Sequence, residues 1–281
     1  MLSIRSKAEI LLLIVTFIWG ATFVIVKEAL NDASPLVFVA ARFMVAGVLL
    51  FLILARGKPD RKALVPAFVL GIFLFLGFFF QTWGQEYTTP SKCAFITGFS
   101  VILVPLLVAA RGAPLRRASL AGALLGLAGI YFLVSPSAAE GINRGDVLTL
   151  VSAFGFAIYI VLVEVYARRF SFVDLAPAQI LIAGLLACAG LPFDPGRRLH
   201  WTAGLAAAIA VTAILATAFA FAVQNWAQKY VPAAHTALIF AFEPVFAALT
   251  SYVVLGERLG SRVLFGSALI LAGMVVSERW S

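Results

Sequence analysis

Charge is the scarcest feature of this chain. Asp, Glu, Lys and Arg make up 12% of its 281 residues, about half of the roughly 25% with which a soluble domain faces water. A water-soluble globule of ordinary surface is therefore excluded. Cysteine and histidine are also sparse, with two of each. Cys93 and Cys188 lie in apolar runs without a CxxC or a nearby His pair, so neither a disulfide framework nor a zinc site is indicated, and both read as packing residues. No cofactor or metal motif is present, and no Walker sequence that would let this chain drive transport with ATP. The net charge of +8 could suggest nucleic acid, but no Lys/Arg run exceeds two residues and the basic positions fall between apolar blocks, as membrane topology signals do.

What the chain does have is apolar length, with 63% hydrophobic residues, 25 of them Phe, and a mean hydropathy of +1.04. A helix that crosses about 30 Å of hydrocarbon needs roughly 20 apolar residues. Ten stretches of that kind can be drawn, at 8–26, 35–55, 64–83, 91–110, 119–134, 146–166, 175–191, 201–223, 231–255 and 261–277. The first follows Arg5 and Lys7 like a signal peptide, yet it is long and lacks a small-residue cleavage site, so it reads as a retained helix. The expected fold is an all-α integral membrane protein of ten transmembrane helices. Its lipid surroundings are the bilayer and its other partner a small molecule, with no nucleic acid.

Orientation follows from the basic residues. With the N-terminus in the cytoplasm, the inner segments of the first half hold Arg5, Lys7, Arg56, Lys58, Arg61, Lys62, Arg111, Arg116 and Arg117, against Lys27, Lys92 and Arg144 outside. Nine against three obeys the positive-inside rule. The second half divides evenly, so the expectation of two cytoplasmic termini rests on the first half and on the even span count.

The chain also resembles itself. At an offset of 137, Phe17, Val24, Ala41, Ala46 and Gly47 match Phe154, Val161, Ala178, Ala183 and Gly184. At 143, Trp83, Gln85, Tyr87, Ala94, Ile96 and Phe99 match Trp226, Gln228, Tyr230, Ala237, Ile239 and Phe242. At 144, Gly122 and Gly129 match Gly266 and Gly273. The recurrence of W-x-Q-x-Y marks two halves, 1–138 and 139–281, of five spans each. Five is odd, so the halves should be two inverted repeats, an arrangement that places a transporter's solute site near the midplane between them.

The ordered motifs FIWGATF at 17–23, ARF at 41–43, YTTPSKCAFITG at 87–98, VPL at 104–106, YVPAAHTAL at 230–238, FEPVFAA at 242–248, LGERL at 255–259 and LAG at 271–273 resemble those of the drug/metabolite transporter superfamily, specifically its ten-helix EamA-type exporters. The counterpart of LGERL in the first half, at 110–115, lacks the acidic residue. The resemblance spans nearly the whole chain. It implies two EamA-like repeats around a central cavity, a bacterial inner (plasma) membrane location, and export of amino acids or other small metabolites.

Two charges fall at membrane depth, where insertion costs about 2.5–3.5 kcal/mol each. Glu243 lies close to the middle of the ninth span and is followed by Pro244, which should kink the helix and free the Phe240 carbonyl. A carboxyl there can serve as a proton-coupling group, or it can stay neutral and pack by hydrogen bonding. Arg42 lies about 10 Å from the outer end of the second span, at 1.5 Å per residue, and reads first as a structural ion pair or cap and secondly as an anion site. Its repeat partner is the neutral Gln179.

Polar stripes point to the cavity. Cys93, Thr97, Ser100 and Val104 share one helical face, and the equivalents Thr236, Phe240, Glu243 and Ala247 share the matching face of the ninth span. Thr16, Trp19 and Phe23 line up on the first span, Ser152, Gly155 and Tyr159 on the sixth, and Phe75, Phe79 and Trp83 on the third. Trp19 is mid-span with an indole N–H that needs a partner. The candidate solute-binding set is Trp19, Thr97, Ser100, Tyr159 and Glu243, with no catalytic residue expected. Gly122, Gly126 and Gly129 form a GxxxG-type face whose partner is either within the chain or in a homodimer. An intramembrane lipid-modifying enzyme is the alternative, but no HExxH, GxSxG, Asp-rich motif or His pair supports it. A channel would want rings of charge or a carbonyl filter, and neither is visible.

Overall fold

The computed structural model describes residues 2–54, 60–114, 116–134, 142–246, 249–250 and 260–279. Their regular structure is helical throughout, with a single isolated β-bridge, Ala33 to Leu199. In chain order the helices are α1 (Ile4–Ala29), α2 (Pro35–Leu54), α3 (Leu64–Tyr87), α4 (Pro90–Thr97), α5 (Ser100–Ala110), α6 (Arg117–Val134), α7 (Arg144–Ala167), α8 (Phe172–Gly190), α9 (Ala203–Ala213), α10 (Ala220–Ala227), α11 (Ala233–Phe240) and α12 (Ser261–Arg279). Seven helical stretches are long and apolar enough to cross a membrane. Three shorter apolar helices, Arg117–Phe132, Ala233–Phe246 and Leu264–Ser277, fall on the remaining stretches expected from sequence.

Polar side chains mark the helix starts, where backbone N–H groups lack partners. Ser3, Thr89 and Thr202 accept from the N–H of Ser6, Lys92 and Leu205. Asn143 and Asp146 cap α7 reciprocally.

Two helices are broken rather than continuous. The stretch expected as one helix over 91–110 divides into α4 and α5 at Gly98–Phe99, and the one expected over 231–255 stops at Phe240, turns at Ala241–Phe242 and resumes helically at 243–246. The hydrogen bonds at the two breaks correspond. Gly98 N–H donates to Ala94 at 3.0 Å and Phe99 N–H to Ile96 at 3.1 Å, while Ala241 N–H donates to Ala237 and Phe242 N–H to Ile239, both at 3.1 Å. The kink expected beside Pro244 is thus a full turn that begins three residues earlier. The first break has no proline two residues after it, so proline is not their common cause.

A third irregularity has no counterpart in the sequence reading. Between α9 and α10, residues Ile214–Phe219 form a π-helical segment, which widens the helix and releases carbonyls from the regular ladder.

Glycine sets the close helix contacts. With lipid as apolar as Leu, helices in a bilayer associate through tight packing, for which small residues are needed. A Cβ at Gly122 on α6 would lie 2.6 Å from the Gly273 carbonyl oxygen on α12, one at Gly273 would lie 2.6 Å from that of Gly122, and one at Gly129 would lie 2.5 Å from that of Gly266. The glycine face therefore meets its partner within the chain. A homodimer through these helices would have to use another face. Similarly, Gly47 on α2 faces Leu181 on α8, and Gly184 on α8 faces Met44 on α2.

Replacing Gly122 or Gly273 with Val should push two backbones apart and cost on the order of 1–3 kcal/mol of packing. The measurement is thermal unfolding of the purified protein in detergent. Each Val variant is expected to lower the midpoint by several degrees, whereas Gly204→Ala, where a Cβ meets only Thr202 Oγ1 at 3.7 Å, should leave it unchanged. A Gly122→Val protein as stable as wild type contradicts this packing.

Candidate functional site

The described helices border a cavity with about 80 Å³ of free space, about 710 Å³ when the open space of its mouth is included. The smaller figure, the one that compares with ligand cavities, lies below their usual range of roughly 300–1,000 Å³. Its walls come from α1, α2, α3, α7 and α10 and from both broken helices. Trp19, Thr97, Ser100, Tyr159 and Glu243, picked out separately in the sequence, all line it, and so does Arg42. The rest of the wall is mostly aromatic (Phe23, Phe78, Phe156, Phe221, Phe240) and amide (Gln81, Gln85, Gln224), with Thr22, Thr82, Val26 and Ile160 between them.

The polar stripes divide at the helix breaks. Thr97 and Ser100 flank the turn at Gly98–Phe99 and reach the cavity. Cys93 lies 3.9 Å from the Gln81 carbonyl and 3.7 Å from Thr149 Oγ1, and Val104 packs in the apolar core around Ile130, Leu238 and Ile270. On the matching stripe Phe240 and Glu243 reach the cavity. Thr236 is buried with its hydroxyl unpaired among the described residues, and Ala247 falls outside them. Of the aromatic row Phe75, Phe79 and Trp83, none lines the cavity; the neighbouring Phe78 does.

Trp19 is fixed by the π segment. Its Nε1 donates to the Ala216 carbonyl at 2.8 Å, and its ring packs on Phe240 and Phe221, with centroids 4.9 and 5.5 Å away. Arg42 converges on the same place. Its Nε donates to Thr217 Oγ1 at 2.6 Å and its Nη2 to the Ala216 carbonyl at 3.1 Å. The guanidinium lies over the Phe78 ring at 4.6 Å. Thr217 in turn donates to the Thr212 carbonyl five residues back at 2.8 Å, a bond that suits the wider π turn. Arg42 is 4% exposed. Of the ion pair or cap expected for it, no ion pair is formed among the described residues, and its hydrogen bonds go to a hydroxyl and a backbone carbonyl of the π segment.

Tyr159 donates to Gln179 Oε1 at 3.1 Å, which connects the sixth span to the repeat partner of Arg42. Thr97 accepts from Gln81 Nε2 at 3.1 Å. Gln85 and Gln224 are almost fully buried, and one amide oxygen of each has no partner among the described residues. Since an amide can be turned end for end, each presents one unpaired polar end. Glu243 has no hydrogen-bond or ion-pair partner among the described residues.

Polar bridges cross the bundle at both ends. At one end Lys27 donates to the carbonyls of Gln85 and Thr88, Lys92 pairs with Asp146 at 2.7 Å, and Arg198 donates to the Leu30 carbonyl at 2.6 Å. The chain at Asp32–Ser34 is tied there to Arg198–His200 by backbone bonds. At the other end Glu164 accepts from the Ala233 N–H at 2.9 Å and from Arg168 at 2.6 Å, and Glu9 lies 3.4 Å from His235. Sequence reasoning did not find the π segment, the glutamines or these end bridges. The one available signal was the run of Gln81, Thr82 and Gln85 on an otherwise apolar span.

The EamA-like transporter family model matches the chain twice, at residues 6–135 and 143–278. An uncharacterized transporter of Archaeoglobus fulgidus is 35% identical over 97% of this chain and 86% of its own length. The uncharacterized transporter YoaV of Bacillus subtilis is 22% identical over 94% of both chains. The uncharacterized inner membrane transporter YedA of Escherichia coli is 30% identical over 50% of this chain and 47% of its own. A protein crystal structure with 23% identity superposes with a TM-score of 0.79 over 98% of this chain and 97% of that one, a likeness of fold. With the family model matched in both halves of a helical bundle built around one cavity, the chain belongs to the EamA-like transporter family and is a membrane protein of transporter type.

Proposed function

We propose that this protein is a secondary transporter that moves small organic solutes, amino acids or related metabolites, out across the inner membrane by alternating access. The observation that carries the reading is the central cavity, walled by both halves of the chain and bordered by two helices broken at corresponding residues, 98–99 and 241–242. Discontinuous helices in corresponding positions are a mark of the binding site in inverted-repeat transporters.

On this reading the chain crosses the membrane ten times as two inverted repeats. The glycine contacts support it. Under the offset of 144, the pair Gly122 and Gly273 maps onto Gly266 and Gly129, which also touch; under 137, Gly47 and Leu181 map onto Gly184 and Met44, which touch as well. A two-fold axis between the halves generates such reciprocal pairs. The positive-inside count then puts both termini in the cytoplasm, and the bridges at Lys27, Lys92 and Arg198 on the outer side. Alternating access requires each end to open in turn, and the networks at Lys92–Asp146 and at Glu164–Ala233 are the contacts to be exchanged.

The cavity walls set selectivity. Ser100→Val, which adds bulk beside the first break, and Trp19→Phe, which removes the bond to Ala216, are each expected to change the ranking of solutes in a proteoliposome flux screen of amino acids by about tenfold, with expression and thermal stability retained. If both variants rank solutes as wild type does, the cavity is not the solute site.

Glu243 is the proton-coupling residue in this scheme, since it is a carboxyl on the cavity wall that no cation among the described residues pairs with. Glu243→Gln keeps its shape and hydrogen bonding but cannot ionise. Under an imposed proton gradient wild type should accelerate efflux, and the variant should lose that response while still exchanging labelled for unlabelled solute. A wild type indifferent to the gradient, or a variant that still follows it, removes Glu243 from the coupling step and leaves it a packing role.

A further inference from the structure

Arg42 is an unneutralised cation at the wall of a low-dielectric cavity. It is 4% exposed, and no carboxylate pairs with it among the described residues. Its guanidinium carries five N–H donors. The protein uses only Nε and Nη2, on Thr217 and Ala216, so Nη1 is left without a protein acceptor among the described residues while the group lines the cavity. Packing alone does not call for a charge here, because the repeat-related position on α8 holds the neutral, fully buried Gln179. The ring of Phe78, 4.6 Å away, stabilises the cation on one face, and the two bonds to the π segment hold the fork in place. The result is a positioned, partly unused fork, the geometry that receives a planar carboxylate.

We propose that Arg42 is the anion-binding group of this cavity, taking the carboxylate of an organic cargo whose apolar body packs against the surrounding aromatic walls. The assignment rests on the transporter reading for its biological sense, but binding can be measured without transport. Thr217 and the Ala216 carbonyl are positioning groups: they touch the guanidinium and aim it.

The test uses the full-length protein in detergent, with isovalerate, phenylacetate and phenylalanine each titrated against its own amide and ligand binding read as a rise in the unfolding midpoint. At least one acid should bind wild type ten- to a hundredfold more tightly than its amide, the range expected for a hydrogen bond to a charged group. Arg42→Gln should bind acid and amide alike, and Thr217→Val, which frees Nε but keeps the cation, should weaken the acid severalfold and leave the amide unchanged. If Arg42→Gln does not fold, the wild-type preference and its loss of strength in Thr217→Val decide the matter.

The assignment is overturned if wild type prefers no acid over its amide, if Arg42→Gln keeps such a preference, or if Thr217→Val binds the acid as wild type does. Flux in vesicles separates this from the transporter reading. Acid binding through Arg42 without flux defeats transport and leaves the site standing; flux with acid and amide equivalent defeats the site and leaves transport standing.

Discussion

In hydrocarbon an unpaired carbonyl costs several kcal/mol, because no water is present to replace a lost ladder bond. A crossing helix can therefore leave α geometry only where side chains make good the loss. The π segment at Ile214–Phe219 meets that condition with residues from two other helices: the Ala216 carbonyl accepts from Trp19 on α1 and Arg42 on α2, and the Thr217 hydroxyl accepts from Arg42 while donating to Thr212. The same bonds that satisfy the irregular backbone fix Trp19 and Arg42 on the cavity wall. Helix distortion and site construction are one event here.

The same economy explains the broken helices. A continuous α4–α5 would direct Thr97 and Ser100 along one regular face, and that face would have to suit either lipid or a packed neighbour. With the turn at Gly98–Phe99 these hydroxyls instead sit beside the cavity, and the corresponding turn at Ala241–Phe242 does so for Glu243. Irregular backbone is tolerable at such depth where it lines a cavity instead of facing lipid. The close glycine contacts of α2 with α8 lie away from these breaks, whereas α6 packs against both, with Ile130 beside Gly98 and Gly126 beside Ala241. These contacts supply rigid pairs between which the irregular segments are held.

Much of this was legible in the sequence because hydrocarbon is an exacting solvent. Low charge, long apolar runs and a self-match carrying W-x-Q-x-Y led to a helical membrane bundle of the right family, and polar residues in apolar spans led to Trp19, Thr97, Ser100, Tyr159 and Glu243, which the fold gathers around one cavity. Periodicity assumes an unbroken helix, however, and that is where it went astray: Cys93 and Val104, read as members of the Thr97–Ser100 face, turn elsewhere once the helix breaks. The π segment was invisible because ILATAF contains neither Gly nor Pro, and its stability comes from Arg42, which is 175 residues from Thr217 in the chain. An ion pair was the natural expectation for a buried arginine. A distorted helix offering a free carbonyl and a hydroxyl answers the same electrostatic need without an acid.

That substitution has a consequence for the two halves. A carboxylate partner would have neutralised Arg42, whereas neutral acceptors stabilise the cation but leave its charge in place. On the opposite half, Gln179 occupies the related position and accepts from Tyr159 with no charge at all. The pseudo-symmetric scaffold proposed here thus carries an asymmetric lining: a cation contributed by the first half, and a carboxyl, Glu243, contributed by the second. Glu243 has no partner of its own among the described residues. On the proposed reading, a cation and a carboxyl that are held by separate helices and not paired with one another among the described residues can each direct their interactions to a bound molecule instead of within the protein.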